Sequence, residues 1–188
     1  MIRIAIVTGS TRPGRKSRAV ADWVLALAAG RSDAEYVLLD IADYQLPLLD
    51  ESSPPAKMQY QHEHTKRWSA AVAGFDGFVF VTPEYNHGPS AALKNALDFL
   101  YREWNHKAAG FVSYGSAGGV RAVEQLRLVM GEISVADVRA QVVLTLADDF
   151  ENYAVFKPRA HHEKSVKALL DQVVAWAGAL QPLRIPGA

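Results

Sequence analysis

Short runs of β-branched and apolar residues recur along this chain, and each leads through a polar loop into a stretch with helical spacing. Ile2-Arg3-Ile4-Ala5-Ile6-Val7 is the first such run. A strand that is apolar on both faces belongs inside a parallel sheet covered by helices. Val20, Trp23, Val24 and Leu27 follow at i, i+3, i+4 and i+7, which predicts a helix with Ser17 as its N-cap and Gly30 as its stop. The alternation then repeats. Strands are predicted at Tyr36–Leu39, Phe78–Val81, Ala108–Val112 and Val142–Leu146. Helices are predicted around Trp68, Ala71, Val72 and Phe75, around Ala92 to Leu100, over Val120–Met130 and over Val166–Leu180. The last of these should turn Leu169, Leu170, Val173 and Trp176 inward. Five β–α units in strict alternation predict an α/β fold, a three-layer doubly wound parallel sheet of five strands. No repeat or linker divides residues 1–188, so a single domain is expected.

Composition removes several classes of function. Lys plus Arg equals Asp plus Glu at 20 each, so the formal net charge is zero. A general nucleic-acid binder draws its affinity from a positive surface, so nucleic acid is not an expected partner. With no cysteine, the chain has no thiolate nucleophile, disulfide or cysteine-ligated metal. No stretch reaches the roughly 20 apolar residues that span a bilayer. The amino end enters a strand without a leader-like segment, so the cytoplasm is the expected location.

Open parallel sheets bind ligands beyond the carboxyl ends of their strands, which directs attention to the loops after the first, third and fourth. The first loop, Gly9 to Ser17, brings Ser10, Thr11 and Ser17 hydroxyls and the cations Arg12, Arg15 and Lys16 to a helix N-terminus. Unpaired backbone N–H groups and the helix dipole favour an anion there, and the added hydroxyls and cations suit a phosphate. A merely capped, solvated basic loop would need fewer of them. Gly9-x-x-x-x-Gly14 has Walker A glycine spacing, but Arg15 occupies the lysine position and Lys16-Ser17 comes one residue late. The dinucleotide fingerprint G-x-G-x-x-G is absent from this loop.

The loop after the third strand runs Thr82-Pro83-Glu84-Tyr85-Asn86-His87-Gly88-Pro89-Ser90. Its prolines stiffen it, Gly88 permits close approach, and Tyr85 with Asn86 offers a flat face and amide hydrogen bonds, as a planar heteroaromatic ligand requires. The loop after the fourth, Ser113-Tyr114-Gly115-Ser116-Ala117-Gly118-Gly119, offers backbone N–H donors. His62 and His64, two residues apart on a helix, should face different ways, and His161-His162 lack a third ligand, so no metal site is expected. Tyr101 and Trp104 are read as core or as subunit interface.

Three segments together resemble the NADPH-dependent FMN reductase family, the flavodoxin-like group that includes quinone, chromate and azo-dye reductases. They are Gly9-Ser10-x-Arg12-x-x-x-x-Ser17, Pro83-Glu84-Tyr85-Asn86 with Gly88-Pro89 and Leu93-Lys94-Asn95-Ala96-Leu97-Asp98, and Gly115-x-x-Gly118-Gly119-x-Arg121. The resemblance implies a flavodoxin-like strand order 2-1-3-4-5 and FMN as cofactor, with NADPH or NADH as co-substrate. It implies an FMN phosphate held by Ser10, Arg12, Arg15, Lys16 and Ser17, and a flavin ring beside Pro83, Glu84, Tyr85, Asn86, His87, Ser113, Gly115, Gly118 and Gly119. It further implies a homodimer or homotetramer and a small-molecule electron acceptor: flavin, quinone, a nitro or azo compound, or a metal oxyanion. FMN carries the redox chemistry in such enzymes, so no side chain is assigned as catalytic. The alternative is a flavodoxin-type electron carrier that does not itself oxidise NAD(P)H. Such carriers are strongly acidic, and this chain is neutral.

Overall fold

A computed structural model of the chain describes residues 1–184. Five parallel strands, β1 (Arg3–Thr8), β2 (Glu35–Asp40), β3 (Gly77–Pro83), β4 (Lys107–Gly115) and β5 (Val135–Thr145), lie in the order β2-β1-β3-β4-β5. The helices are α1 (Ser17–Ala28), α2 (Glu63–Ala73), α3 (Ala91–Asp98), α4 (Val120–Glu132) and α5 (His161–Leu180). This is the expected doubly wound, flavodoxin-like sheet.

Side-chain alternation along the strands splits the interior into two cores. Ala5, Val7, Phe78, Phe80, Ala109 and Phe111 pack with α2, α3 and α4, while Ile4, Ile6, Val79, Val81, Ala108 and Val112 pack with α1 and α5. Aromatics dominate the first core. Trp104 is fully buried, its ring 4.9 Å from Phe78, and its indole N–H donates to the Leu97 carbonyl at 3.1 Å. Trp104 is therefore core rather than interface. Half-buried Tyr101 donates its hydroxyl to the Glu132 carbonyl at 3.3 Å.

Some sequence expectations shift. Trp176 is 46% exposed, because α5 turns Val166, Leu169, Leu170, Val173 and Ala177 inward and leaves Trp176 at the edge of that stripe. β5 begins seven residues before the expected Val142, its early part carrying Asp137 and Arg139 on a sheet edge where burial is incomplete. A small hairpin, β6 (Phe150–Glu151) and β7 (Val155–Phe156), was not foreseen, since two-residue strands carry no periodicity. Among the described residues, no helix is long and apolar enough to cross a membrane.

Candidate functional site

β1 and β3 are neighbours, yet their following helices lie on opposite faces of the sheet, so a crevice opens where the winding reverses. A cleft of about 180 Å³ lies there, lined by Arg12 to Lys16, Pro83 to Tyr85, Tyr114, Gly115 and Leu146. It gathers the loops after β1, β3, β4 and β5. Tyr85 ties the first two together, because its hydroxyl and the Ser10 hydroxyl share a hydrogen bond of 3.0 Å and the Arg12 guanidinium lies 5.8 Å from its ring centroid.

The phosphate end has a different local structure from the expected one. Lys16, not Ser17, is the N-cap of α1, and no side chain caps the helix. Ser17 is the first helical residue, fully buried, and its hydroxyl has no hydrogen-bond partner. Gly30 lies two residues beyond the last helical residue, Ala28. An uncapped helix N-terminus beside a stranded hydroxyl leaves several donors to be satisfied by something outside the chain.

Arg15 is committed elsewhere. It donates to Asp40 at the end of β2 at 2.6 Å, and buried Asp40 also accepts from Thr8 at 2.6 Å and from the Ala42 backbone at 3.1 Å. The carboxylate neutralises the Arg15 head and fixes it against the sheet, while its Nε remains buried and unpaired. Exposed Arg12 and half-buried Lys16 have no carboxylate partner among the described residues. The Tyr114 hydroxyl lies beside Ser17 and is likewise buried without a well-formed hydrogen bond; burial, reinforced by the neighbouring Tyr85 phenol, raises its pKa against the opposing pull of the Ser17 hydroxyl, the Ser17 backbone N–H and the Arg15 charge, so that it stays a donor.

The loop after β3 is braced from α4. Arg121 pairs with Glu84 through its guanidinium, and its backbone N–H donates to the same carboxylate at 3.2 Å. Burial alone would raise the Glu84 carboxyl, but the Arg121 charge and these hydrogen bonds override it and hold the pKa below the usual carboxylate value. Asn86 and His87 both adopt left-handed backbone (φ 48° and 75°), inside a two-residue turn closed by reciprocal Tyr85–Gly88 bonds of 2.9 and 3.1 Å. That conformation suits a two-residue hairpin turn but is costly for residues other than glycine.

In the loop after β4, Ser113 is buried, donates to the Gly118 carbonyl at 2.7 Å and accepts from Gln141 at 3.1 Å. Gly118 and Gly119 are left-handed (φ 71° and 74°), and a Cβ on Gly118 would lie 2.2 Å from Val143. Their packing against β4 and β5 alone requires glycine. Ser116 and Ala117 are the exposed members of the turn.

Of the expected site residues, Arg12, Arg15, Lys16, Pro83, Glu84, Tyr85 and Gly115 line one cleft, and Ser10 and Ser17 lie behind it. Asn86, His87, Ser113, Gly118 and Gly119 are outside its lining. Sequence reasoning named Tyr114 within the loop after the fourth strand without giving it a role of its own, and it missed Leu146 and Asp40. An acid at the end of the strand beside β1 was a readable signal for Asp40, whereas Leu146 sat inside an apolar run. The two histidines also differ from expectation: His62 precedes α2, so its ring stacks on His64 at 5.2 Å and both face Asp50, at 3.8 and 3.0 Å. No group of three or more such side chains among the described residues is arranged to hold a metal ion.

Residues 2–149 match the family model described as NADPH-dependent FMN reductase. An NAD(P)H-dependent FMN reductase of Schizosaccharomyces pombe is 38% identical over 169 residues, covering 89% of this chain and 84% of the relative. Another from a Nectria species is 39% identical over 178 residues, covering 89% and 87%. The solved structure of a flavoenzyme NAD(P)H:(acceptor) oxidoreductase from Paracoccus denitrificans superposes with a TM-score of 0.74 at 21% identity, covering 95% of this chain and 98% of that one. At that identity it establishes the shared fold.

Proposed function

This chain belongs to the NADPH-dependent FMN reductase family, and from that premise we propose an FMN-dependent oxidoreductase, one domain over its whole length, that takes a hydride from NAD(P)H and passes electrons to a small acceptor. The observation that carries the reading is the buried, partnerless Ser17 hydroxyl at the uncapped N-terminus of α1. A phosphate monoester supplies what that hydroxyl, the adjoining backbone N–H groups and the unpaired Arg15 Nε lack. Arg12 and Lys16 add charge at the mouth. The residues present therefore fit the phosphate of FMN.

When bound, FMN supplies the hydride-accepting and electron-donating chemistry. The chain's own groups bind and orient. Ser17 and Arg15 would anchor the phosphate, and the Asp40 carboxylate holds Arg15 in place for it. Tyr85 and Pro83 offer a flat wall. The Glu84–Arg121 pair locks that wall to α4, and the exposed Ser116 and Ala117 would offer backbone donors to a ring edge. A cleft of about 180 Å³ is smaller than the roughly 300–1,000 Å³ of complete ligand pockets, so the ring requires a further wall. A second copy of the chain supplies it in this reading. Light scattering of the flavin-loaded protein should then give a dimer or tetramer, and a monomer would remove that wall.

The activity has a direct test. Purified protein should be yellow, and anaerobic NADPH should bleach its flavin absorbance within seconds. A flavin spectrum that NADPH leaves unchanged would support the carrier alternative, which the balanced charge already disfavours. A quinone, an azo dye and ferricyanide as acceptors then define the substrate class.

A further inference from the structure

His87 is exposed, yet it is held more firmly than a loop histidine needs to be. The Arg121 Nη1 lies 3.1 Å from its Nδ1, and the Gln125 side-chain amide donates to its carbonyl at 2.7 Å. Both holders come from one face of α4, and Arg121 is itself fixed by Glu84, whose side chain is only 4% exposed. The backbone beneath is the left-handed Asn86–His87 pair, a conformation that persists only where surrounding contacts enforce it. Ring and backbone are thus both pinned beside Tyr85, which lines the cleft.

The contact with Arg121 has a chemical consequence. A guanidinium carries N–H donors and no acceptor, so the Nδ1 facing it accepts and bears no proton. The proton of the neutral ring therefore resides on Nε2. We infer that Arg121 is a positioning residue that fixes His87 as its neutral Nε2–H tautomer, outside the cleft lining and two residues beyond cleft-lining Tyr85, and that this N–H hydrogen-bonds the oxygen of an incoming acceptor. The role at the acceptor rests on the oxidoreductase reading, whereas the tautomer rests on geometry alone.

Neutral imidazole acts here as a hydrogen-bond donor and not as an acid, since giving up its proton would leave an imidazolate. Overall, NAD(P)H, one solvent proton and a quinone yield NAD(P)⁺ and a hydroquinone. The quinone carbonyl oxygen gains negative charge on the way, and a fixed N–H beside it is most effective at that moment. Ferricyanide takes one electron without a proton and has no such oxygen, so it should be indifferent to the donor.

Two measurements test this. In ¹⁵N-histidine spectra of the flavin-free protein at a pH where His87 is neutral, Nε2 should be pyrrole-like and Nδ1 pyridine-like. Arg121→Met should convert this to a mixture of tautomers. A mixed tautomer in the parent protein, or a pure Nε2–H form surviving in Arg121→Met, would overturn the positioning role. If Arg121→Met does not fold, Arg121→Gln serves, because a reversible amide holds the ring less exclusively and should also give a mixture. In the flavin-loaded enzyme, His87→Phe should lower the ratio of quinone to ferricyanide kcat about tenfold, and His87→Gln should recover most of it. An unchanged ratio would refute the acceptor role. Absence of NAD(P)H oxidation with every acceptor would instead sink the oxidoreductase reading and leave the tautomer result standing.

Discussion

Alanine at both Arg12 and Ser17 is expected to weaken FMN binding by about a hundredfold while changing riboflavin binding by less than about twofold, since each charge-assisted hydrogen bond to a phosphate contributes about 1.5–3 kcal/mol. The two flavins differ only in the phosphate, so the comparison isolates that group from the ring. These two residues are chosen because removing either strands no buried charge, the other side-chain contact of Arg12 being its guanidinium over the Tyr85 ring. Among the described residues the Ser17 hydroxyl makes no well-formed hydrogen bond, its neighbour being the Tyr114 hydroxyl, and Arg12 has no carboxylate partner. Arg15 is the wrong residue to remove, because its loss would strand the buried Asp40 carboxylate and mix a folding defect into the affinity. The flavin-free protein should tolerate Ser17→Ala without loss of melting temperature, since a buried unpaired hydroxyl contributes nothing that a methyl group lacks. Calorimetric titration with both flavins decides the matter. Equal losses for FMN and riboflavin would move the phosphate away from α1.

How much of this arrangement was readable beforehand depended on whether its cause was local. β1, β3 and β4 announce themselves because burial on both faces requires unbroken apolar runs, and the sheet order follows from the family resemblance. The cations of the first loop were equally plain. Asp40 could be noticed as an acid at a strand end, but that it pairs with Arg15 and not with Arg12 could not be read, because the fold decides which side chain reaches a residue 25 positions along. Gly118 and Gly119 were legible as residues needing an unusual backbone. Whether a ligand or the protein imposes that need turns on Val143, 2.2 Å from where a Gly118 Cβ would lie. Ser17 shows the same limit in reverse: its residue type suits a helix cap, yet the helix starts one position early and leaves the hydroxyl buried behind the cleft without a well-formed hydrogen bond. Local chemistry named the loops, and long-range packing assigned the work within them.

Lys107, at the opposite end of β4 from the cleft, gives the second large effect. Its ammonium is buried, with 4% of the residue exposed, and it donates to the Val72 and Ala73 carbonyls at the C-terminus of α2, at 2.9 and 3.3 Å. Burial, with the Arg184 charge adding to it, lowers its pKa to about 8, against the opposing pull of Asp76 and Glu103. The folded value thus lies below the unfolded one, near 10.5. Below pH 8 both states hold the proton and the cost of burying the charge is constant. Between pH 8 and 10.5 the folded protein releases it while the unfolded chain keeps it, so stability rises with pH, by up to about 3 kcal/mol. Lys107→Met carries no such charge. It should be more stable than the parent by about 2 kcal/mol at pH 7, the lost carbonyl contacts offsetting part of the gain. That advantage should shrink steadily, pass through zero and reverse by about 1 kcal/mol at pH 10.5, where the neutral amine still makes the carbonyl contacts that methionine lacks. Taking the difference between the two proteins cancels the titration of every other lysine and tyrosine. Urea unfolding across this range would show it, and a gap independent of pH would mean that Lys107 keeps its charge at no cost.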